Sequence, residues 1–445
     1  MTAAQQVTSL VAMDVKDSDG LLESERPASL AQPHVAFCVS DLNPGGVQHA
    51  VLRISEAMVS VGCRVSVLIC EPGGKLERAL SSRVEPVWLS PSRKLHARVE
   101  AFRADPGAWR LMLRPLLSRR ETRTLPYLPA LTAYLREFQP DTLFTATPAL
   151  NIWGYLAKRR AGVATQLIVS ERTHFSAGKP RNIGRKLVLA PLMRRAYAGA
   201  DHVVTVSHGV ALDLVHNVGI SRNHITVLHN PTIGPNFAER MAAPVCHPWF
   251  APGTPPVLLA VGRLAVQKDL PTLLAAFARA RKQREMHLLL LGEKNRSAQS
   301  AIAKSTVAKI IEAHGIGADV ELLGYDPNPI RYMARADLFI LSSRFEGFPN
   351  ALLEAVASGC PVVSTDCPSG PYELLDGGRY GRLVPVGDPD AMAEAILASL
   401  DAPTDKSLLK ERARLFDFER SVAAYRNVLL GRPQDDTYPE PRGWR

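Results

Sequence analysis

Two carboxylates, Glu346 and Glu354, stand eight positions apart in the stretch RFEGFPNALLEAVASGCPVVSTDCPSG, Arg344 to Gly370. Gly347, Phe348, Pro349 and Asn350 follow the first acid, and an Ala/Leu-rich helical pattern carries the second before Gly359 and Pro361 end it. Pro349 suits the first helical position, where its missing N–H has no intrahelical partner, and Gly359 suits the stop. The spacing therefore puts Glu346 just before a helix and Glu354 about one turn inside it. At the start of that helix the amides of Asn350, Ala351 and Leu352 are expected to face outward, so that open donors and the helix dipole together favour a phosphate. Glu354 lies too deep for the same phosphate and is placed for neutral hydroxyls such as those of a ribose. The two acids would then bracket a diphosphate, one at each end of a nucleotide-sugar. The plainer alternative is a pair of solvated helix-face glutamates, which the isolated spacing does not exclude.

Other polar residues gather at comparable places. Arg263 and Lys268 follow Gly262 between a strand pattern and a helix opening at Asp269-Leu270-Pro271, and a planar guanidinium with a point-charge ammonium is a usual division of work on phosphates. Gly45 and Gly46 form a turn before a helical pattern in which Val47, Val51, Ile54 and Met58 share a face. The turn lacks G-x-G-x-x-G spacing, so no nicotinamide site is read from it. Bare backbone at the two glycines would let a phosphate or an acceptor approach closely. Glu171, Arg172 and His174 follow a strand pattern at Gln166 to Ser170 and remain three open candidates for a residue facing a cleft. Asp-x-Asp occurs at Asp17/Asp19 in a polar tail and at Asp388/Asp390 as a helix-capping sequence, and neither is read as a metal site.

The elements needed to position these groups repeat one theme. Strand patterns at His34 to Ser40, Arg64 to Cys70, Thr142 to Ala146, Gln166 to Ser170, His202 to Val206 and His224 to Leu228 are separated by helical material. After a Pro-rich stretch, a second block has strand patterns near Val257 to Val261, His287 to Leu291, Val320 to Leu323, Leu338 to Leu341 and Pro361 to Ser364. Repeated βα alternation argues for parallel, doubly wound sheets whose ligands sit beyond the carboxyl ends of the strands. Asn230-Pro231 closes the first block.

With these motifs in place, the chain from about Pro33 to Val428 resembles the retaining family 4 glycosyltransferases of the GT-B fold. FEGFPNALLEAVASGCPVVSTDCPSGPYELL is similar to their donor-site motif of two glutamates flanking seven residues, and VGRLAVQKDLPTLLAAF at Val261 to Phe277 to their Gly-Arg-Leu followed by Gln-Lys. The Gly45-Gly46 turn and the Asn230-Pro231 end also fit. The resemblance implies an α/β protein with two Rossmann-like domains facing across a cleft: a tail at 1–32, an acceptor-binding domain at 33–230, a linker at 231–256, a donor-binding domain at 257–417, a helix at 418–430 crossing back onto the first domain, and a tail at 431–445. It implies catalytic roles for Glu346, Arg263 and Lys268, with Glu171, Arg172 and His174 as unranked candidates. Donor binding would fall to Gly45, Gly46, Asn230, Gly262, Gly347, Phe348, Asn350, Ala351, Leu352 and Glu354. The expected activity is hexosyl transfer from a nucleotide-diphosphate sugar, such as a UDP-sugar, to a glycan or polyprenyl-diphosphate-linked acceptor, with retention, without metal and without cofactor.

Composition bounds the partners. The 445 residues are 46% apolar and 22% charged, which suits two globular domains, and no apolar run approaches spanning length. Six cysteines without any C-x-x-C pair point to reduced thiols in a cytoplasmic chain. The first thirty residues lack the charged start and apolar centre of a secretory signal and read as a disordered tail. The net charge of +10 is concentrated: nine Lys/Arg against three acids between Arg93 and Arg123, and seven with no acid between Arg172 and Arg195. No stacking-aromatic pattern accompanies these clusters, so no nucleic-acid partner is expected. The first cluster interleaves its charges with Leu95, Phe102, Trp109, Leu111, Met112, Leu113, Leu116 and Leu117, the composition of a helix in a membrane interface or of a surface helix packed on its own domain. A peripheral position on the inner face of the plasma membrane follows from the first of these. Two other activities stay open: a nucleotide-sugar epimerase of the same architecture and an inactive binding relative.

Overall fold

The computed structural model describes residues 32–117, 123–177, 183–292 and 298–432. Asp17, Asp19, both tails beyond Gln32 and Arg432, and Arg119 and Arg120 of the basic segment lie outside them. Among the described residues, thirteen short strands form two all-parallel sheets. The first contains β1 (His34–Val39), β2 (Arg64–Ile69), β3 (Glu85–Trp88), β4 (Thr142–Ala146), β5 (Gln166–Glu171), β6 (His202–Thr205) and β7 (Ile225–Val227), in the order β3-β2-β1-β4-β5-β6-β7. The second contains β8 (Val257–Val261), β9 (His287–Leu291), β10 (Val320–Gly324), β11 (Leu338–Leu341), β12 (Val362–Thr365) and β13 (Arg382–Val384), in the order β10-β9-β8-β11-β12-β13. The central strands are continuous apolar runs because helices cover both faces, the burial that a parallel sheet requires. β1 is buried along its whole length.

Strand order reverses between β1 and β4 and again between β8 and β11, which opens a crevice at the carboxyl ends of each sheet. The loops after β1 and β8 carry Gly45-Gly46 and Arg263-Lys268, and the loop after β11 carries Glu346. The fold is the expected doubly wound α/β pair. β3 and β13 were not expected; they are edge strands of four and three residues, one containing Pro86 and the other opening on an exposed Arg382.

The stretch read as an aperiodic linker is partly structured. It contains the helix Phe237–Ala242, which packs on Ile330–Met333, and Trp249 stacks on His287 at 4.2 Å between ring centroids. The chain crosses between the sheets a second time at Asp417, which pairs in parallel with Ile233 as an isolated bridge. The helix Phe418–Leu429 then packs on the first sheet's side: Tyr425 is buried in the same cluster as Phe37 and Phe144, and Thr142 Oγ1 donates to Leu429 O at 2.6 Å.

Candidate active site

Glu346 is built into a tight junction of two loops. After β8 the chain makes a single helical turn, Val266–Lys268, and Asp269 adopts a left-handed conformation, φ +45°. The buried Asp269 carboxylate takes Arg344 Nε at 2.9 Å and the Thr272 hydroxyl at 2.9 Å, which ties this turn to the loop after β11. Ser342 Oγ donates to Lys268 O at 2.6 Å, and Gln267 Nε2 to Phe345 O at 2.9 Å. The result is that Lys268 Nζ lies 2.7 Å from Glu346 Oε1, which also accepts from Ser343 Oγ at 2.6 Å. Two groups 78 positions apart in sequence are thus one ion pair. Arg263 is exposed and lines the same cavity as Lys268 and Glu346.

The helix after Glu346 departs from expectation in its first turn. It spans Asn350–Ala357 with Pro349 at the cap rather than inside, and the amides of Asn350 and Leu352 donate to Phe348 O (3.0 Å) and Pro349 O (2.9 Å). A turn this tight consumes donors that a regular helix start leaves free. Of the three amides expected to face a phosphate, Ala351 is the one not taken up in this way. The Leu352 side chain is fully buried in the second sheet's core and does not line the cavity.

A cavity of about 350 Å³ lies between the carboxyl ends of the two sheets. From the first half it is lined by Gly45, Gly46, Arg172 and Asn230; from the second by Gly262, Arg263, Lys268, Glu346, Gly347, Phe348, Asn350, Ala351 and Glu354. The halves touch closely here. A Cβ on Gly347 would sit 2.0 Å from the Arg172 carbonyl oxygen of the first half and, within the second half, one on Gly292 would sit 1.7 Å from the Gly262 carbonyl oxygen, so both approaches need glycine.

The three residues after β5 have different fates. Glu171 is buried and turns into the first half, where its carboxylate accepts from the Tyr197 hydroxyl at 2.8 Å; it does not line the cavity. His174 lies outside the lining too, with Nδ1 3.2 Å from Asp213 Oδ2, and its amide donates to Glu346 O at 3.3 Å. Arg172 does enter, but its guanidinium is held by Asn230 Oδ1, by the Tyr425 hydroxyl at 2.9 Å and by Ser170 Oγ at 3.2 Å. Asn230 Nδ2 passes this connection to Asn350 Oδ1 at 2.8 Å. The Tyr425–Arg172–Asn230–Asn350 chain therefore joins the last helix, the first sheet and the helix after Glu346.

Sequence reasoning missed His49, Arg53 and Arg240, which line the same cavity. Arg53 Nη2 reaches Glu354 Oε1 at 3.3 Å from the opposite half. Burial, then Arg53 and Arg240, push His49 below the ordinary imidazole range, and burial likewise lowers Arg240. His49 and Arg53 sit one and two turns into an ordinary amphipathic helix, and Arg240 lies in the stretch taken as linker; only the Gly45-Gly46 turn hinted that this helix start faces a ligand.

Arg53, Arg172, Arg240, Arg263 and Lys268 converge on one cavity against Glu346, Glu354 and Asp326. An anionic ligand that also presents neutral hydroxyls suits that balance. Solved structures with the same architecture include a glycosyltransferase from Rickettsia africae (16% identity, TM-score 0.69, covering 90% of this chain and 98% of that one). Anabaena HepE, solved in complex with UDP and glucose, is another (17% identity, TM-score 0.70, covering 90% and 100%). The fold is that of the GT-B glycosyltransferases.

Sequence relatives are consistent with this class. Residues 44–232 match glycosyltransferase family 4 and residues 255–402 match the glycosyl transferases group 1. An N-acetylgalactosamine-N,N'-diacetylbacillosaminyl-diphospho-undecaprenol 4-alpha-N-acetylgalactosaminyltransferase of Campylobacter jejuni is 31% identical over 288 residues, 63% of this chain and 75% of the relative. A lipopolysaccharide 1,6-galactosyltransferase of Escherichia coli is 25% identical over 269 residues, 60% and 67% respectively. The chain belongs to the group 1 and family 4 glycosyltransferases.

Proposed function

We propose that the protein transfers a hexosyl unit from a UDP-sugar to a glycan acceptor carried on a polyprenyl-diphosphate or comparable membrane lipid, with retention and without a metal ion. The convergence of Arg263 and Lys268 on one cavity with Glu346 and Glu354 carries this reading. Two cations at the leaving diphosphate stabilise the charge that grows as the anomeric C–O bond breaks and the acceptor oxygen bonds to the same carbon, releasing its proton. Glu346, oriented by Lys268 and Ser343, acts at the donor sugar, and Glu354 holds the ribose hydroxyls. Residues 33–230 serve the acceptor and 257–417 the donor. The relatives' printed names, one with a diphospho-undecaprenol substrate and one with lipopolysaccharide, support a lipid-borne acceptor.

The first half also supports work at a membrane. Its helices Lys94–Ala104 and Trp109–Leu117 bury Ala97, Ala101, Met112 and Leu116 but leave Leu95, Val99, Trp109 and Leu113 exposed, with Lys94, Arg103 and Arg110 exposed alongside. Apolar side chains that do not enter the core, interleaved with cations, suit an anionic bilayer surface. Among the described residues no helix is long and apolar enough to cross a membrane.

The experiment is release of nucleoside diphosphate over a panel of UDP-, GDP- and ADP-sugars, with and without a lipid-diphosphate acceptor and with and without a chelator. Acceptor-dependent release that survives chelation, with an unchanged anomeric configuration in the product, is the expected result. Conversion of the donor without acceptor would replace this reading by an epimerase.

A further inference from the structure

A second titratable pair lies behind the cavity, and its roles are not absorbed by donor binding. Glu373, in the turn Pro371–Leu374 of the second half, is 3% exposed, and His229, just before the first crossing between halves, is 2% exposed. Glu373 Oε1 lies 3.3 Å from His229 Nε2. Glu373 Oε2 accepts from the His208 amide at 3.0 Å, so the acid of one half caps the helix His208–Val218 of the other. The cap residue of that helix, Ser207, donates its hydroxyl to Gly347 O at 2.7 Å, and the His229 ring packs on Phe348 at 4.6 Å. The pair thus sits directly under Gly347 and Phe348, on the loop that carries Glu346.

The hydrogen-bonding roles are fixed by chemistry. His229 Nδ1 lies 2.8 Å from Val206 O, a carbonyl that can only accept, so Nδ1 carries a proton. With a neutral ring, Nε2 presents a lone pair on the side of Glu373, 3.3 Å away, and two acceptors would face each other unless the carboxyl is protonated; a charged ring would instead stand beside an ionised acid. We propose that Glu373 and His229 are a positioning pair that shares one buried proton across the two halves and thereby holds the Glu346–Phe348 loop against the first half.

Electrostatics agrees with that arrangement. Burial pushes Glu373 up to about 8 and His229 down to about 3. The surrounding groups are Arg412 from the helix Lys406–Arg414, Arg420 from Phe418–Leu429, and His208. Arg412 and the His208 and Gly209 amides favour ionised Glu373, but each acts less strongly than burial. Arg412 is also occupied, donating to Glu373 O at 2.6 Å and Leu374 O at 2.8 Å.

The sign follows from linkage. Released, the acid titrates near 4.5 and the imidazole near 6.5. Between about 3 and 4.5 closure releases the imidazole proton, so closure strengthens as pH rises. Between about 4.5 and 6.5 closure moves one proton from ring to acid and is pH-neutral. Between about 6.5 and 8 closure must take up a proton, so it weakens by about tenfold per pH unit and levels off above.

Hydrogen exchange of the full chain, read in peptides covering residues 206–212 and 346–352 and corrected for intrinsic rates, tests this without any donor or acceptor, and so independently of the transferase assignment. Glu373→Gln supplies an amide that donates to His229 and a carbonyl that accepts from His208, mimicking the protonated acid. Wild-type protection is expected to fall about tenfold per unit from pH 6.5 to 8. The Gln variant should stay protected and flat over that window, and Glu373→Ala should be unprotected throughout. A Gln variant that keeps the wild-type slope, or one as poorly protected as Ala, overturns the shared proton; the second result would mean an ionised pair. If the Ala variant does not fold, wild type against Gln still decides.

Discussion

Lys268 is the most informative residue to remove, because it makes two separable claims. Its ammonium is 2.7 Å from Glu346 Oε1 and lines the cavity where a leaving diphosphate is proposed to sit. If it serves only to neutralise Glu346, Lys268→Ala leaves a largely buried carboxylate with Ser343 Oγ at 2.6 Å and Gln267 Nε2 at 3.5 Å as neutral donors. Stripping one partner from a buried ion pair costs ~3–5 kcal/mol of stability. Lys268 keeps about a fifth of its side chain in solvent, so the effect here should fall at or below the lower end of that range. If instead it stabilises charge on the diphosphate, turnover falls ~100- to 1,000-fold, as for a lost oxyanion donor, ~2.7–4 kcal/mol. A cycle with Glu346→Gln separates the two, since neutralising the acid removes any need for a counter-ion. Nucleoside diphosphate release should drop at least ~100-fold on Lys268→Ala, both in the wild-type chain and in one already carrying Glu346→Gln. Turnover within threefold of wild type, or a loss that disappears once the acid is replaced, would refute the diphosphate role.

Three further outcomes follow from the same geometry. Glu354→Gln should raise the donor KM with little change in kcat, because ribose contacts are made equally before and during bond breaking; initial-rate kinetics checks it, and a kcat effect alone would contradict it. Gly347→Ala forces a Cβ to 2.0 Å from the Arg172 carbonyl oxygen, backbone against backbone, and should lower the melting temperature and turnover together, read by calorimetry and the release assay. Lys94, Arg103 and Arg110 changed together to Gln should reduce sedimentation with anionic vesicles, each charge contributing on the order of 1 kcal/mol at low salt, and leave neutral vesicles unaffected.

How far the sequence could be read is clearest at single elements. β1, β4 and β8 announce themselves as apolar runs because both faces of a central parallel strand are covered. β3 and β13 do not, since an edge strand of three or four residues has too little length for a pattern and tolerates Pro86 and Arg382. The Glu346/Glu354 spacing was legible because it is local, one acid before a helix and one within it. Its pairing with Lys268 was not, because only the sheet order brings β8 and β11 side by side. Arg53 and Arg240 were invisible for a similar reason: each looks like a solvated charge until the opposite half closes over it. Leu352, expected to offer its amide to a phosphate, buries its side chain in the core and donates that amide to Pro349 O.

The last helix has a consequence for how the protein is made. Val422, Tyr425, Val428 and Leu429 belong to the same buried cluster as Phe37, Ile54 and Phe144, so the first half is short of part of its interior until the far end of the chain has emerged. At ~5–20 residues per second, the roughly 200 residues between Asn230 and Leu429 take about 10–40 s to synthesise. For that interval the nascent first half presents an unfilled apolar seam where Phe418–Leu429 will dock. A ribosome stalled within the second half would therefore display a seam suited to capture by a chaperone, even though all of the first sheet's strands had already been translated.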